Sequence, residues 1–469
     1  MVSGNSYSAN LRLALCRIVT SLITVACPSV CAKFQVNNYT SYDQTDPAIA
    51  IDPNGGFLVV WRSYRQDGDS GGIFARQFDA CGNPLGLEFI VNSETIGNQK
   101  APDAAMDGYG NFVVVWQGPG IDQEDIFARR FGCNAQPLDT EFTVNTYTDN
   151  RQLSPAVAMN HQGRFLVVWE SINIPADPNK RSICGRLYDS NGNSIGSEFV
   201  INNEASTCRF PDAVMLEDGS SIVVWVREST LKSIWVRFVN AVGNTPTLAI
   251  MVNEDNFTSL TQPSVACDAA GNFIILWDGH ETTYLEDDIY LRRFHWSHAP
   301  LENAVIISGD PGQQSLPAAV MAPDGRFVAL WQNEPNNDSE TDIFAQRFPT
   351  QNENIGPVLF MGTQFQINPY SNGSQQYPAV VINDSADFVA VWESYAEDGS
   401  GYGIFGQIGF LLGSADLTGD NFIDFCDFTL LADRWLNEQV PLYKDIFNDG
   451  NIDTLDLAIM ADHWLQPAH

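Results

Sequence analysis

Residues 47–61 read PAIAIDPNGGFLVVW, and a segment of the same form occurs seven times along the chain. Each copy begins with proline and has tryptophan 14 residues later. The prolines are Pro47, Pro102, Pro155, Pro211, Pro263, Pro317 and Pro378. The tryptophans are Trp61, Trp116, Trp169, Trp225, Trp277, Trp331 and Trp392. A repeat of roughly 55 residues is typical of propellers, solenoids and arrays.

Each copy contains four short predicted strands, A to D. The proline begins strand A, where its missing N–H is tolerated. The continuous apolar run before the tryptophan predicts a strand B that is buried on both faces. Strand C begins at an isoleucine such as Ile73, and strand D ends at a residue such as Asn92, 19 residues later. Four strands per repeat favour a β-propeller over the rarer four-stranded solenoids.

The seventh copy lacks strand D at its own end of the chain. Its first three predicted strands end near Phe410, whereas residues 34–37 (FQVN) match residues 89–92 (FIVN) of the first copy. Closing a ring removes exposed sheet edges, so the N-terminal segment should complete the last blade. We therefore predict an all-β seven-bladed β-propeller over residues 33–412, followed by a small α-helical domain over residues 414–469.

The repeat resembles a type found in secreted bacterial proteins. Residues 55–61 (GGFLVVW) and 398–405 (DGSGYGIF) carry this resemblance, which covers about residues 34 to 410. The resemblance implies the propeller fold and an extracellular compartment, and it implies no particular reaction. It is consistent with residues 1–32, where two arginines, an apolar run and Val30-Cys31-Ala32 are typical of an export signal. We expect a secreted or cell-surface protein without a membrane span in the mature chain.

The charge balance narrows the range of partners. Asp plus Glu number 57 against 24 Lys plus Arg, which gives a formal net charge of −33. Such a chain repels phosphate backbones, so nucleic-acid binding is excluded. Binding to anionic membrane surfaces is disfavoured for the same reason. Divalent cations are compatible with this charge.

Two acidic units at a period of 29 residues occupy the C-terminal segment. Their loops run from Asp416 to Asp427 and from Asp445 to Asp456, and each continues into a helical pattern of apolar residues that ends at Trp435 or Trp464. Oxygen ligands at positions 1, 3, 5, 7, 9 and 12 of a twelve-residue loop form a calcium cage. The sequence therefore predicts two EF-hand-like calcium loops.

This pair of units closely resembles a type I dockerin, a calcium-binding module that binds a cohesin domain. By that resemblance, the first site would use Asp416, Thr418, Asp420, Asp424, Asp427 and the carbonyl of Phe422. The second would use Asp445, Asp449, Asp453, Asp456 and the carbonyl of Asn451. Phe447 offers no side-chain oxygen, so the second site should be weak or partly hydrated. The resemblance implies Ca²⁺ as the bound metal and a cohesin-type domain as the partner.

These features leave more than one function open. The first hypothesis is a secreted binding protein that a dockerin module attaches to a cohesin-bearing assembly, with a propeller that recognises a glycan or a protein. The second is a polysaccharide-active hydrolase or lyase with acidic catalysts in the B–C loops. Those acids lie at Asp67, Asp69, residues 122–125, 286–288 and 338–342, Glu397 and Asp398. A third hypothesis is that the C-terminal segment mediates calcium-dependent self-association.

Three repeated features are expected to be structural. Residues 68–72 (GDSGG) resemble a serine-protease nucleophile motif, but the seventh repeat has DGSG in the same place, so the motif belongs to the repeat. The residue three positions after each strand C isoleucine is Arg in five copies, and an aromatic stack or inter-blade hydrogen bond is expected for it. The repeated tryptophans end buried runs and should pack between blades.

Overall fold

Strand pairing divides the chain into seven antiparallel sheets, as the repeat predicts. The computed structural model describes residues 33–410 except 121–122, 175–179, 203–205, 254–256, 282–285, 309–310, 336–339, 351–356 and 371. No helix forms within these ranges, so none there is long and apolar enough to cross a bilayer. The predicted export signal and both predicted calcium loops lie outside the described residues.

The first strand is β1 (Phe34–Gln35), and the others follow blade by blade. Blade 1 consists of β2 (Gln44–Ile51), β3 (Phe57–Tyr64), β4 (Gly71–Phe78) and β5 (Phe89–Ile90). Blade 2 consists of β6 (Lys100–Met106), β7 (Phe112–Pro119), β8 (Glu124–Phe131) and β9 (Phe142–Thr143). Blade 3 consists of β10 (Gln152–Met159), β11 (Phe165–Ile172), β12 (Arg181–Tyr188) and β13 (Ser194–Val200).

The remaining blades repeat this plan with one irregularity in blade 5, where strand A is split in two. Blade 4 consists of β14 (Thr207–Met215), β15 (Ser221–Glu228), β16 (Ser233–Val239) and β17 (Ile250–Met251). Blade 5 consists of β18 (Phe257–Leu260), β19 (Ser264–Cys267), β20 (Phe273–Glu281), β21 (Asp288–Phe294) and β22 (Val305–Ile306). Blade 6 consists of β23 (Gly312–Met321), β24 (Phe327–Pro335), β25 (Asp342–Phe348) and β26 (Met361–Gln366). Blade 7 consists of β27 (Gln375–Ile382), β28 (Asp387–Tyr395), β29 (Tyr402–Phe410) and β1.

The N-terminal strand closes the ring, which confirms the predicted closure. Phe34 of β1 pairs with Gly406 of β29 in antiparallel register. The Val36 N–H donates to the Ile404 carbonyl at 2.8 Å, and the Ile404 N–H donates to Asn37 Oδ1 at 2.8 Å. The innermost strands contact one another in a complete cycle, from β2 through β6, β10, β14, β19, β23 and β27 back to β2. The fold is therefore a closed seven-bladed propeller.

The hydrophobic core lies between adjacent sheets. Between blades 1 and 2, for example, Leu58 and Ile73 belong to one buried cluster with Val114 and Trp116. All seven repeated tryptophans are fully buried. They therefore pack between blades, as expected, and their rings are not available as exposed sugar platforms.

The spacing from isoleucine to asparagine reflects a hydrogen bond. The N–H of the strand C isoleucine donates to the side-chain oxygen of the residue that follows strand D, as in Ile73 to Asn92 Oδ1 at 2.7 Å. The same bond recurs in the other blades: Ile126 to Asn145, Ile183 to Asn202, Ile234 to Asn253, Ile289 to Ser308, Ile343 to Asn368 and Ile404 to Asn37. The regular part of strand D ends before this residue, because a side chain there replaces the backbone acceptor.

The repeated arginines join neighbouring blades. Arg76 Nη1 donates to the Val36 carbonyl at 2.9 Å, and Arg129 Nη1 donates to the Val91 carbonyl at 2.8 Å. Each guanidinium also lies over an aromatic ring, with 5.5 Å from Arg76 Cζ to the Phe78 ring centroid. Both expected structural roles, the stack and the inter-blade hydrogen bond, are therefore confirmed.

The strand A prolines do not begin their strands, which corrects the sequence prediction. In blade 1, Gln44 and Thr45 already pair with strand B, and regular pairing resumes at Ala48. Asp46 and Pro47 therefore lie in a β-bulge, where a proline without an N–H is tolerated. Similar shifts occur around Pro102, Pro155, Pro211, Pro317 and Pro378. In blade 5, Pro263 lies in the break between β18 and β19.

Candidate functional site

The start of strand A and the end of strand B meet at one edge of every sheet. In blade 1, Thr45 pairs with Arg62, and in blade 7, Gln376 pairs with Glu393. Strand A is innermost, so this edge surrounds the central channel. We call it the channel mouth and define it by two residues per blade. The pre-proline residues are Asp46, Ala101, Ser154, Phe210, Gln262, Leu316 and Tyr377, and the post-tryptophan residues are Arg62, Gln117, Glu170, Val226, Asp278, Gln332 and Glu393.

At least three post-tryptophan side chains hold the bulge of the next blade. Glu393 Oε1 accepts the Asp46 N–H at 2.7 Å, and Glu170 Oε1 accepts the Phe210 N–H at 2.9 Å. Gln117 Oε1 accepts the Ser154 N–H at 3.3 Å. These side chains satisfy backbone donors that the bulge removes from the strand ladder. Part of the acidic character of the mouth is therefore structural.

The two carboxyl groups between blades 7 and 1 have different environments. Burial raises the pKa of Glu393 to about 8, although Gln376 Nε2 and the Asp46 N–H both donate to it. Burial also raises the pKa of Asp46, but the neighbouring cation of Arg62 opposes that effect. Glu393 is therefore protonated at neutral pH, with its side chain only 1% exposed. It can stabilise the mouth without adding a charge to it.

Tyrosines surround this carboxyl pair. Tyr377 is 44% exposed and Tyr395 is 47% exposed. Tyr395 and Tyr402 lie edge to face, with 5.1 Å between their ring centroids. Burial raises the pKa of Tyr377 and Tyr402, and for both phenols the next cause is the nearby Glu393. We call Tyr377, Tyr395 and Tyr402 the tyrosine cluster. It offers apolar ring faces and phenolic hydroxyls beside a neutral carboxyl group.

A second polar group lies on blade 5. His280 Nδ1 is 2.6 Å from Asp287 Oδ1, and the Ser259 hydroxyl donates to Asp287 Oδ2 at 3.4 Å. Asp287 is fixed by blade 6, because its N–H donates to Gln313 Oε1 at 2.9 Å. Burial raises the pKa of the nearby Asp278 to about 6, and Thr261 donates to its carboxyl group. This group therefore forms a hydrogen-bonded link between blades 5 and 6.

Two further carboxyl groups follow the strand A prolines. Asp103 Oδ2 accepts the Val157 N–H at 2.7 Å, and Asp212 Oδ2 accepts the Val265 N–H at 2.9 Å. Burial raises the pKa of Asp103 to about 6 and that of Asp212 to about 7. Each joins the innermost strand of its own blade to that of the next blade. Their first role is to hold neighbouring blades together.

The acidic B–C loop residues predicted as possible catalysts are engaged in local contacts. Asp69 Oδ2 accepts the Gly97 N–H at 2.7 Å, and this bond lowers the pKa of Asp69. Glu124 pairs with Lys100 and Arg151, and Asp398 Oδ1 accepts the Ser400 N–H. Asp125, Asp288 and Asp342 bind the side chains of Asn145, Ser308 and Asn368. These carboxylates stabilise turns and strand ends, whereas Asp122 and Asp338 lie outside the described residues.

The remaining sequence motifs have structural roles where the structure describes them. Ser70 of the GDSGG motif lies in an exposed turn, and its hydroxyl donates to Asp69 Oδ1 at 3.2 Å. The predicted calcium ligands all belong to residues 411–469, which are not described. Among the described residues, no group of three or more His, Cys, Asp or Glu side chains is arranged to hold a metal ion.

Comparison with known proteins supports the fold. No protein-family model matches the chain, and no curated protein matches its sequence. Among solved structures, the chain is similar to an ulvan lyase of a new polysaccharide lyase family, with a TM-score of 0.52 and 11% identity over 82% of this chain and 96% of that chain. It is also similar to a protein of unknown function from Dyadobacter fermentans (TM-score 0.45, 11% identity, 80% and 97% covered). A third similar structure is an α-L-arabinanase from Penicillium chrysogenum (TM-score 0.44, 13% identity, 81% and 99% covered).

Proposed function

We propose that this chain is a secreted propeller that binds a neutral glycan at its channel mouth. The observation that carries the proposal is the tyrosine cluster: the exposed Tyr395 ring packs edge to face against the half-buried Tyr402, and the exposed Tyr377, at the channel mouth, is close enough to raise the pKa of Tyr402. Tyrosine suits a sugar, since its ring face packs against C–H groups and its hydroxyl exchanges hydrogen bonds. The formal charge of −33 favours a neutral glycan over an anionic one.

Replacing Tyr395 with alanine should weaken glycan binding about tenfold, because loss of one well-packed aromatic contact costs roughly 1–2 kcal/mol. The measurement is calorimetric titration of the full chain with cellohexaose, xylohexaose and laminarihexaose, with polygalacturonate as the anionic comparison. Tyr109→Ala is the matched control, because Tyr109 is 79% exposed in the A–B turn at the opposite edge of its sheet. Wild-type affinity in Tyr395→Ala, or preference for polygalacturonate, would contradict the proposal.

A catalytic function is a second candidate, and one observation favours it. Burial raises the pKa of Glu393 to about 8, and it also raises the pKa of the neighbouring Asp46, although Arg62 opposes that rise. A pair of neighbouring carboxyl groups in different environments is the arrangement that glycoside hydrolysis requires. However, Glu393 is only 1% exposed and is held by Gln376 and by the Asp46 N–H. Binding is therefore favoured, and release of reducing sugar from the same oligosaccharides distinguishes the two functions.

The C-terminal segment is proposed to attach the propeller to a cohesin-bearing extracellular assembly. Its support is the donor chemistry of the sequence, because aspartate carboxylates and backbone carbonyls are the hard oxygen ligands that Ca²⁺ prefers. Calcium bound there would fold each loop against its helix, and the exposed helix surface would contact the cohesin. A glycan-binding propeller carried in this way would bring the assembly to polysaccharide.

Removing calcium should increase proteolysis of residues 414–469 and leave the propeller intact, because metal binding contributes the folding free energy of such small modules. The measurement is limited proteolysis of the full chain with EDTA, with restored calcium and with magnesium, followed by mass spectrometry. Asp416→Ala should reproduce the effect of EDTA in the first loop, and Asp433→Ala, at a position outside the loop, is its control. Equal cleavage rates with and without calcium would refute the metal assignment.

A further inference from the structure

Six of the seven pre-proline residues have a left-handed backbone conformation. Their φ angles are 54° at Asp46, 48° at Ala101, 48° at Ser154, 54° at Phe210, 53° at Leu316 and 53° at Tyr377. Residues with a Cβ other than asparagine and aspartate rarely adopt this conformation, which is strained for them. Glycine would adopt it without strain. Aspartate tolerates it at Asp46, but the other five residues are Ala, Ser, Phe, Leu and Tyr, so the chain retains a side chain at five strained positions.

The A–B turns provide an internal comparison. Their left-handed position is glycine in blades 1 to 6, at Gly55, Gly110, Gly163, Gly219, Gly271 and Gly325. Only blade 7 has a side chain there, in Ala386 with φ 67°. Six of the seven A–B turns therefore have glycine at their left-handed position, whereas the six left-handed positions at the channel mouth all carry a side chain.

The left-handed conformation is not a requirement of the blade. In blade 5, the pre-proline residue Gln262 does not have a left-handed backbone, and strand A is split into β18 and β19. The post-tryptophan residue of the preceding blade, blade 4, is Val226, and valine has no side-chain acceptor that could hold a bulge in blade 5. Blade 5 still forms a complete sheet. In the other blades, the left-handed conformation therefore determines where one side chain lies at the mouth.

The side chains at these positions are accessible and differ in chemistry. All seven pre-proline residues are partly or fully exposed. Leu316 and Ala101 are apolar, Ser154 and Gln262 can exchange hydrogen bonds, and Asp46 is acidic. Within an otherwise regular repeat, they form a mixed surface around the channel. A mixed apolar and hydrogen-bonding surface is what an extended sugar chain requires of its binding site.

We infer that the pre-proline side chains determine the glycan specificity of the mouth, and that the ligand is a chain of several sugars that extends from the tyrosine cluster across Leu316 of blade 6. This inference rests on the proposed function and deepens it. The left-handed backbone positions Leu316 and Tyr377 at the mouth, and in blades 1, 3, 4 and 6 the post-tryptophan side chain of the preceding blade accepts the N–H of the pre-proline residue and holds that backbone in place. Leu316 supplies apolar contact next to Tyr377 in the ring of innermost strands.

The test compares stability and binding in Leu316→Gly. Glycine relieves the strain, so the denaturant midpoint of the full chain should rise, while affinity for the hexasaccharide that binds best should fall at least threefold. Leu316→Asn should also lose affinity, because asparagine tolerates the left-handed conformation but replaces the apolar contact. Ala135→Gly is the matched control, because Ala135 is half-buried, has a left-handed backbone with φ 59° and lies in the C–D turn of blade 2, at the opposite edge of its sheet. Its midpoint should rise with no change in affinity.

Each outcome decides the inference. A higher midpoint with wild-type affinity in Leu316→Gly would show that the side chain does not contact the glycan, and would overturn it. A lower midpoint in Leu316→Gly together with a higher one in Ala135→Gly would overturn the premise that the backbone at Leu316 is strained. Either result can occur while Tyr395→Ala still loses binding, so failure of this inference is distinguishable from failure of the proposed function.

Discussion

Replacing Val36 with aspartate should lower the free energy of unfolding of the propeller by roughly 3–5 kcal/mol, because it places an unpaired charge in the closing blade. Val36 is 0% exposed, as are its counterparts Val91, Val144 and Val252 in blades 1, 2 and 4. Its backbone N–H and carbonyl bind Ile404 and Arg76, and the substitution leaves these groups in place. The measurement is equilibrium denaturation of the full chain, followed by tryptophan fluorescence.

Val200→Asp is the control for this experiment, because Val200 lies in strand D of blade 3 but is 37% exposed. A surface substitution of this kind should change stability by about 0.5 kcal/mol or less. If Val36→Asp were no more destabilising than Val200→Asp, the N-terminal segment would not be a packed part of blade 7. The closed ring would then be wrong. If only Val36→Asp is strongly destabilising, the two ends of the propeller fold as one cooperative unit.

The fold was predictable because its periodic features have a direct physical cause. The tryptophan ends a buried strand, and the distance from isoleucine to asparagine is set by the Ile73 to Asn92 hydrogen bond and its equivalents. The match between residues 34–37 and 89–92 identified the missing strand, because the same bond joins Ile404 to Asn37. The start of strand A was predicted wrongly, since a β-bulge has no signature in the alternation of apolar residues.

The residues of the candidate site were not predicted, because they are neither repeated from blade to blade nor grouped in the acidic loops. The mouth residues vary from blade to blade, as Glu393, Val226 and Arg62 show at one position. The sequence does contain one indication of the site: the residue type varies at these positions although the spacing of the repeat is constant. The contact between His280 and Asp287 was not predictable either, since two residues seven positions apart meet only through the pairing of strands B and C. Sequence spacing predicts backbone position, and these contacts depend on side-chain direction.

Replacing Glu393 with glutamine should flatten the dependence of stability on pH. The pKa of Glu393 is about 8 in the folded protein and has an ordinary value of 4.5. Between these values the folded protein holds a proton that the unfolded chain has lost, so unfolding releases a proton. Its contribution to stability is therefore complete below about pH 4.5 and declines as pH rises through about 8. The slope from one such group is at most about 1.4 kcal/mol per pH unit.

The measurement is the free energy of unfolding at several pH values from 6 to 9, for wild type and Glu393→Gln. Burial also raises the pKa values of Asp103, Asp212 and Asp278, so only the difference between the two slopes isolates Glu393. Glu170→Gln is the control, because Glu170 holds the bulge of blade 4 as Glu393 holds that of blade 1 but is paired with Arg181 at 2.8 Å. It should lose stability and keep the wild-type slope. Parallel curves for wild type and Glu393→Gln would mean that Glu393 is already ionised at neutral pH, and the hydrolase alternative would then lose its general acid.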